Sequence, residues 1–211
     1  MEPGPAPGGG RTTPGSARAG RRRLGAVDPS GDGLDGRADW LVELGRAPIR
    51  LTPDNVSVAM SIRWLGGMIV RGTFDDVRGT IHVPGDGRPA AVTVEVAADS
   101  VRTGISLRDR HLRGPVFLDA ARHPVITFRG GDVMRWPTHI AVPGSLTIRG
   151  VTRTEELRCM REESSEWRAL VGDVTLSRRA YGVGVPRGLR RLDPLFVVIG
   201  DDVRVSIRVT L

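Results

Sequence analysis

The sequence predicts an all-β domain of about eight antiparallel strands, closed into a barrel or folded as a sandwich. Three observations predict this: stretches of alternating apolar and polar residues, 28 glycines against only 4% aromatic residues, and turn-forming residues between the stretches. The clearest alternation is "VSVAMSIRW", in which Val56, Val58, Met60, Ile62 and Trp64 share one side. A period of two indicates a strand with one apolar face.

The same alternation recurs along the chain. It is clear in "AVTVEVA" (91–97) and "DDVRVSIRVTL" (201–211). Further strands are predicted near 69–83, 124–129, 138–149, 154–161 and 167–177, with glycine-containing turns between them. An eight-stranded barrel either fills its interior with side chains or holds one small apolar ligand, and the pattern leaves both open.

One short helix is predicted to interrupt the strands. Ser106 followed by Asp109 has the spacing of a capping box, which would start the helix. The helix should run to about Arg113 and end at Gly114-Pro115. Leu107 and His111 lie four residues apart, so we expect them on one face.

Residues 1–46 are rich in proline, glycine, serine and arginine, which predicts a disordered leader before a domain at 47–211. Within it, "ADWLVELGR" (38–46) is long enough for a short helix. The sequence has neither the apolar run of a membrane helix nor that of a signal peptide. Its single cysteine, Cys159, allows no internal disulfide. We therefore expect a cytoplasmic protein without a membrane span.

The net charge of +7 comes entirely from arginine, because the sequence contains no lysine. The arginines are spread along the chain rather than gathered in one stripe, so no specific nucleic-acid partner is expected. The run Arg21–Arg23 is interpreted as part of a solvated tail.

The stretch "TGISLRDRHLRGPVFLDAARHPVITF" (103–128) resembles the central signature of the YceI-like family of lipid- and polyisoprenoid-binding barrels. The matching pieces are Thr103-Gly104, Arg108-Asp109, His111-Leu112-Arg113, Phe117-Leu118-Asp119, and Pro124 with Ile126 and Phe128. Three more pieces follow the family's order: "VRGTF" (70–74), "GSLTIRGVTR" (144–153) and "SRRAYGV" (177–183). The resemblance covers residues 48–211.

This resemblance implies a lipocalin-like, eight-stranded antiparallel barrel with a long apolar tunnel. It also implies a carrier or storage protein for prenyl chains, such as isoprenoid quinones or polyprenyl phosphates. The residues expected to bind the lipid in the tunnel and at its mouth are Val58, Met60, Ile62, Trp64, Phe74, Leu107, Arg108, His111, Leu112, Phe117, Ile126, Phe128, Leu146 and Ile148. Trp64 stands where the family often carries a histidine, and it would shorten the tunnel if it pointed inward. No cofactor is expected apart from a bound isoprenoid or similar lipid, and a homodimer is left open.

Three polar features of the sequence are candidates for chemistry. Arg108, Asp109 and His111 could form an acid–base set, but no patterned nucleophile accompanies them, so a structural or ligand-orienting role is expected. The spacing of His111, Asp119 and His123 matches no familiar metal site. The glycine-rich "GVGVPRG" (182–188) lacks the lysine of a phosphate-binding loop and is interpreted as a loop at the barrel rim.

Three functions therefore remain open. The leading hypothesis is a lipid-binding protein without enzymatic activity. The second is a ligand-free barrel that acts as an interaction module, with the arginine-rich leader binding an acidic partner. The third is an enzyme that modifies a bound lipid through His111 or Arg108. A filled interior would favour the second hypothesis, and an open apolar interior would favour the first.

Overall fold

The computed structural model describes residues 47–64, 67–82, 84, 90–136, 138–164, 168–184 and 199–211. All of them lie in one compact unit, Gly33–Leu211. The predicted disordered leader, including the short helix predicted within it, lies outside the described residues, and so does the part of the glycine-rich stretch that follows Gly184 (185–188). Within the described ranges, no helix is both long and apolar enough to cross a membrane.

Within the described residues, twelve antiparallel strands form a single sheet, accompanied by one short helix, α1 (Ser106–Arg113). The strands are β1 (Ile49–Leu51), β2 (Val56–Arg63), β3 (Ile69–Phe74), β4 (Val77–His82), β5 (Ala91–Ala97), β6 (Val101–Arg102), β7 (Val125–Gly131), β8 (Met134–Arg135), β9 (Ile140–Ile148), β10 (Val151–Glu163), β11 (Arg168–Ser177) and β12 (Asp202–Thr210). Their order is β1-β4-β5-β7-β9-β10-β11-β12-β2-β3-β6, with β8 beside β9.

The all-β barrel class is confirmed, although the sheet has twelve hydrogen-bonded strands rather than the predicted eight. The difference arises because four long runs are interrupted. The first run consists of β1 and β2, which pair with β4 and β3, respectively, and β3 and β4 themselves make up the second run. The third run consists of β5 and β6, which also pair with β4 and β3, respectively. The fourth run consists of β7 and β8, which both pair with β9. The breaks fall in the turn at 52–55, at Asp75–Asp76, in the 3-10 turn Ala98–Ser100, and at Asp132, whose φ is 48°.

The sheet curls around an interior. The ladder leads from β4 through β5, β7, β9, β10, β11 and β12 to β2 and β3, and the chain itself then joins β3 to β4. Because neighbouring strands are antiparallel, their connections gather at two ends. The helix end holds α1, the β9–β10 turn at Arg149–Gly150, and the 3-10 turn Arg178–Tyr181. The far end holds the outer ends of β4, β7, β10 and β12.

The far half of the interior is filled by apolar side chains. Strand alternation points these side chains inward, and adjacent strands place them side by side, as in the pairs Val56–Val209 and Ile140–Cys159. The buried residues of this cluster are Leu51, Val56, Val92, Ile140, Val142, Cys159, Leu170 and Val209. Each fully buried aliphatic side chain stabilises the fold by about 1.5–3 kcal/mol, so this cluster anchors the barrel at its far end.

Helix α1 spans the residues that the sequence predicts, but the predicted capping box is wrong. The N-cap is Ile105, and no side chain caps the helix. The Asp109 carboxylate instead accepts hydrogen bonds from the backbone N–H of Thr103, at 2.8 Å, and from the Thr103 hydroxyl. The chain reverses at Gly104, whose φ is 80°, and this turn carries Thr103 over the helix. Asp109 thus ties α1 to the end of β6.

Candidate functional site: an apolar cavity open at the helix end

The helix-end half of the interior is a cavity of about 540 Å³. Its wall takes inward-facing residues from β2, β3, β5, β7, β9, β10, β11 and β12, together with one face of α1 and the segments after α1 and β11. The lining residues are Val58, Met60, Ile62, Trp64, Val70, Phe74, Val94, Val96, Arg108, His111, Leu112, Phe117, Leu118, Ile126, Phe128, Leu146, Ile148, Glu155, Leu157, Val174, Leu176, Arg178, Tyr181, Val183, Ile199, Val203, Val205 and Ile207.

The cavity is not filled by its own lining. Met60 and Ile62 on β2, and Val205 and Ile207 on β12, point inward yet are only half-buried. Their neighbours further down the same strands, such as Val209, are buried. Apolar side chains in this condition present carbon surface to an unoccupied space, which is costly in water. Trp64 belongs to the wall and leaves the cavity open.

Phe128 sits at the base of the cavity on a patch of glycines. A Cβ placed on Gly144 would lie 2.6 Å from the Phe128 ring, and one placed on Gly130 would lie 2.8 Å from it. Only glycine therefore lets the ring lie flat against β7 and β9 at this height. Val142, in the filled far half, also lies against Gly130. Phe128 and these glycines thus mark the boundary between the open and the filled halves.

The polar lining residues lie toward the helix end. The Tyr181 hydroxyl donates to the Glu155 carboxylate at 2.6 Å. Tyr181 is 1% exposed, and burial together with the bond to Glu155 raises the pKa of its phenol. The phenol therefore stays protonated and remains a donor. Glu155 lies two residues before Leu157 on β10, and residues two apart on a strand point to the same side. The Glu155 carboxylate therefore faces the cavity together with the apolar Leu157.

Arg178 is a buried arginine in the same part of the wall. Its guanidinium donates to the carbonyl oxygens of Gly200 at 2.7 Å, Val183 at 2.9 Å and Ile199 at 3.0 Å. These bonds connect the segment that follows β11, which contains Val183, with the segment that precedes β12, which contains Ile199 and Gly200. Arg178 therefore has a structural role, and it also lines the cavity.

On α1, Arg108 and His111 form the polar edge of the opening. Arg108 donates from Nε to the Thr103 hydroxyl at 2.7 Å and from Nη2 to the Thr103 carbonyl at 2.8 Å. The hydrogen bond from the Thr103 hydroxyl is the main reason that the pKa of Asp109 is lowered; nearby Arg113 and Arg108 contribute, while burial opposes the shift. His111 is exposed, so this edge is open to solvent.

Arg149 fixes the loop beside the opening. It occupies the left-handed region with φ 52°, in the tight β9–β10 turn. Its guanidinium donates to the carbonyl of Pro115 at 2.6 Å and to the carbonyls of Val116 and Gly182. The segment after α1 is thereby joined to the segment after β11, and both contribute lining residues.

Thirteen of the fourteen residues predicted to bind lipid lie along this cavity, but Leu107 does not. Leu107 is 60% exposed. The physical reason is helix geometry: residues advance by about 100° each, and the lining arc is centred between His111 and Leu112. Leu107 lies about 90° from the centre of that arc and about 40° beyond its edge at His111, although it is four residues from His111. Binding of lipid by the other thirteen stays a prediction.

Several lining residues are not identified by the sequence reasoning, including Glu155, Arg178, Tyr181 and the inward residues of β5, β11 and β12. Glu155 had an available signal, because it shares the phase of Leu157 and Cys159 in "TRTEELRCM". Arg178 and Tyr181 follow a strand in a 3-10 turn, where a period of two no longer indicates direction.

Arg108, Asp109 and His111, the candidate acid–base residues, do not hydrogen-bond to one another through their side chains. Asp109 and Arg108 are both hydrogen-bonded to Thr103, and the His111 side chain makes no hydrogen bond within the described part of the chain. In the same part of the chain no three metal-ligating side chains come together. Cys159 is buried in the filled half, and desolvation with nearby Asp173 raises the pKa of its thiol to about 12.

Comparison with known proteins identifies this architecture. The family model of the YceI-like domain matches residues 50–211, well over half of the chain. The chain belongs to the YceI-like family. Relatives named Protein YceI, from Salmonella arizonae and Salmonella paratyphi B, are each 34% identical over 114 residues. That match covers 52% of this chain and 59% of theirs, so the chain spans less than two thirds of those YceI proteins.

Solved structures share the fold at low sequence identity. BcnA of Burkholderia cenocepacia superposes with a TM-score of 0.64 at 16% identity, covering 74% of this chain and 96% of that one. A polyisoprenoid-binding domain from Saccharophagus degradans gives 0.60 at 18%, covering 78% and 97%. A YceI protein of Campylobacter jejuni gives 0.55 at 21%, covering 67% and 84%. The YceI-like fold is therefore common to these chains.

Proposed function

We propose that this YceI-like protein binds one long-chain lipid of the polyisoprenoid class in the cavity and acts as its carrier or store. The observation that carries the proposal is the cavity itself, whose wall is apolar apart from a few polar residues toward its open end. Its volume falls within the roughly 300–1,000 Å³ typical of small-molecule sites. The polyisoprenoid-binding neighbour from Saccharophagus degradans supports the choice of lipid class.

The driving force is the burial of apolar surface on both the lipid chain and the cavity wall. Transfer of each CH₂ group of a chain from water to the cavity contributes about 0.8 kcal/mol. A chain would also cover the half-buried faces of residues such as Met60 and Ile207. Part of this gain is offset by the freedom that the chain loses on binding.

Polarity sets the direction in which the ligand enters. Arg108 and His111 lie at the solvent-exposed edge, while Phe128 forms an apolar base. A polar head group would remain at the helix end, and the apolar tail would extend toward Phe128. This arrangement favours a lipid with one polar end over a hydrocarbon without one.

The test is lipid extraction from the natively purified protein followed by mass spectrometry, with a matched pair of variants. Val205 lines the cavity, and the adjacent Arg204 points outward from the same strand. We expect Val205→Trp to fill the cavity and reduce the bound lipid, while Arg204→Trp leaves it unchanged. Ile207→Phe is a second cavity variant in case Val205→Trp does not fold.

A clean extract from folded wild-type protein that also takes up no added prenol would contradict the proposal. So would equal lipid content in the inward and outward variants. We propose binding rather than catalysis because neither His111 nor Arg108 has a hydrogen-bonded catalytic partner within the described residues. Turnover of a bound lipid that His111→Ala abolishes would instead support an enzyme.

A further inference from the structure

The cavity opening is surrounded by exposed apolar side chains. We call these residues the rim cluster: Met68, Ile105, Leu107, Val116 and Val151. Met68 is 62% exposed, Ile105 53% and Leu107 60%. They adjoin the wall directly, because the Met68 carbonyl accepts a hydrogen bond from the backbone of Trp64, and Leu107 precedes Arg108. Apolar surface outside the barrel is therefore adjacent to apolar surface inside it.

The charge around the rim cluster is mostly positive. The exposed arginines at this end without an ion pair within the described residues are Arg63, Arg110, Arg122 and Arg153. Two exposed acidic side chains near it have no ion pair within the described residues, Asp99 and Asp202, whereas Asp75 pairs with Arg102 and Asp76 with Arg78. The other carboxylates are engaged: Asp109 with Thr103, Glu155 with Tyr181, and Asp201 with Ser177 and Arg179. The helix end thus combines exposed carbon with an excess of arginine.

The far end of the barrel differs from the helix end in its charge and in its access to the cavity. It also exposes apolar residues, among them Met134 and Met160. Its charges, however, are balanced: Arg161 pairs with Glu163 and Arg208 with Glu162, each at 2.7 Å, and the exposed Arg50 and Arg129 are matched in number by the exposed Asp54 and Asp132. The interior behind it is filled with side chains. Exposed carbon alone therefore does not distinguish the two ends, whereas charge and access to the cavity do.

We propose that the helix end is a docking surface for an anionic lipid bilayer, with the cavity opening facing the membrane. Apolar side chains that enter the interface and arginines that attract anionic head groups are the two contributions that hold peripheral proteins on membranes. Docking would let a lipid pass between bilayer and cavity without crossing water. The use of the surface rests on the proposed lipid binding, but docking itself does not require a filled cavity.

The experiment is co-sedimentation of the full chain with vesicles of phosphatidylcholine alone or with one third phosphatidylglycerol. The rim variant combines Ile105→Ser with Leu107→Ser, and the control variant combines Met134→Ser with Met160→Ser at the far end. None of these four residues lines the cavity. We expect binding only to the anionic vesicles and weaker binding in high salt. The rim variant should lower the partition coefficient about tenfold, and the control variant should leave it unchanged.

Arg110→Gln should lower binding to the anionic vesicles by about fivefold. Absence of vesicle binding, or equal loss in the rim and control variants, would overturn the proposal. If the rim variant instead abolished a dimer seen by light scattering, without any vesicle binding, the surface would be a protein interface and the proposal would fail. Uptake of a fluorescent prenol analogue, measured without vesicles, separates the two ideas: normal uptake without docking removes only the docking surface.

Discussion

The contact between Tyr181 and Glu155 gives a sharp prediction, because it is a polar contact inside an apolar wall. Tyr181→Phe removes one donor and changes little in shape. The bond is short at 2.6 Å, its acceptor is a carboxylate, and the ring is 1% exposed. A hydrogen bond to a charged group contributes about 1.5–3 kcal/mol. Since Glu155 borders the cavity and can gain water, we expect the lower part of that range.

The predicted loss of about 1.5–2 kcal/mol corresponds to a fall of roughly 3–8 °C in Tm for a domain of this size. Calorimetry or urea unfolding of the delipidated protein measures it. The control is Glu155→Gln, whose amide oxygen still accepts from the phenol. In that background Tyr181→Phe should cost less, because the acceptor is no longer charged, and the double-mutant cycle isolates the difference.

Tyr181 is the sole tyrosine in the sequence, so its absorbance reports its ionisation directly. Because the pKa of the folded state is raised, the contribution of this phenol to stability is fully present below about pH 10 and falls as pH rises above it. The absorbance change of tyrosinate should therefore appear only when the protein unfolds in alkali. A phenol that titrates normally in the folded protein, or a Tyr181→Phe variant of unchanged stability, would refute this reasoning.

Three further predictions follow from other parts of the barrel. Gly144→Ala should destabilise the protein by about 1–3 kcal/mol in urea unfolding, because the added Cβ collides with the Phe128 ring. The pKa of Asp109 is lowered from 3.8, so its bond to Thr103 supports stability above that pH and is lost as pH falls below it; Asp109→Asn should flatten the acid side of the stability profile. The Cys159 thiol, with its pKa raised to about 12, should resist alkylation at pH 8 in the folded protein and react after unfolding.

The sequence predicts most of the wall because the alternation of apolar residues is a local property. The β2 residues Val58, Met60, Ile62 and Trp64 all face the cavity, as their period indicates. Interruptions were not predictable in the same way. The run 69–83 reads as one strand, yet it breaks at Asp75–Asp76, where the pairing partner changes from β2 to β1 and the next ladder begins.

The polar part of the site depends on contacts between distant residues. Spacing alone suggested that Asp109 caps α1, but the fold supplies Thr103 as a better partner. Leu107 lies outside the cavity lining although its spacing from His111 suggested a shared face, because the direction in which α1 faces depends on contacts such as that between Asp109 and Thr103. The Tyr181–Glu155 bond joins residues that are 26 positions apart, which a reading along the chain does not connect.

The filled far half has a consequence for how any cargo must move. A barrel that is filled at one end has a single opening to its cavity, so a bound molecule must leave through that opening before another can enter. Under the proposed lipid binding, such a barrel does not pass molecules from one side to the other. Loading and release would use the same opening, one after the other.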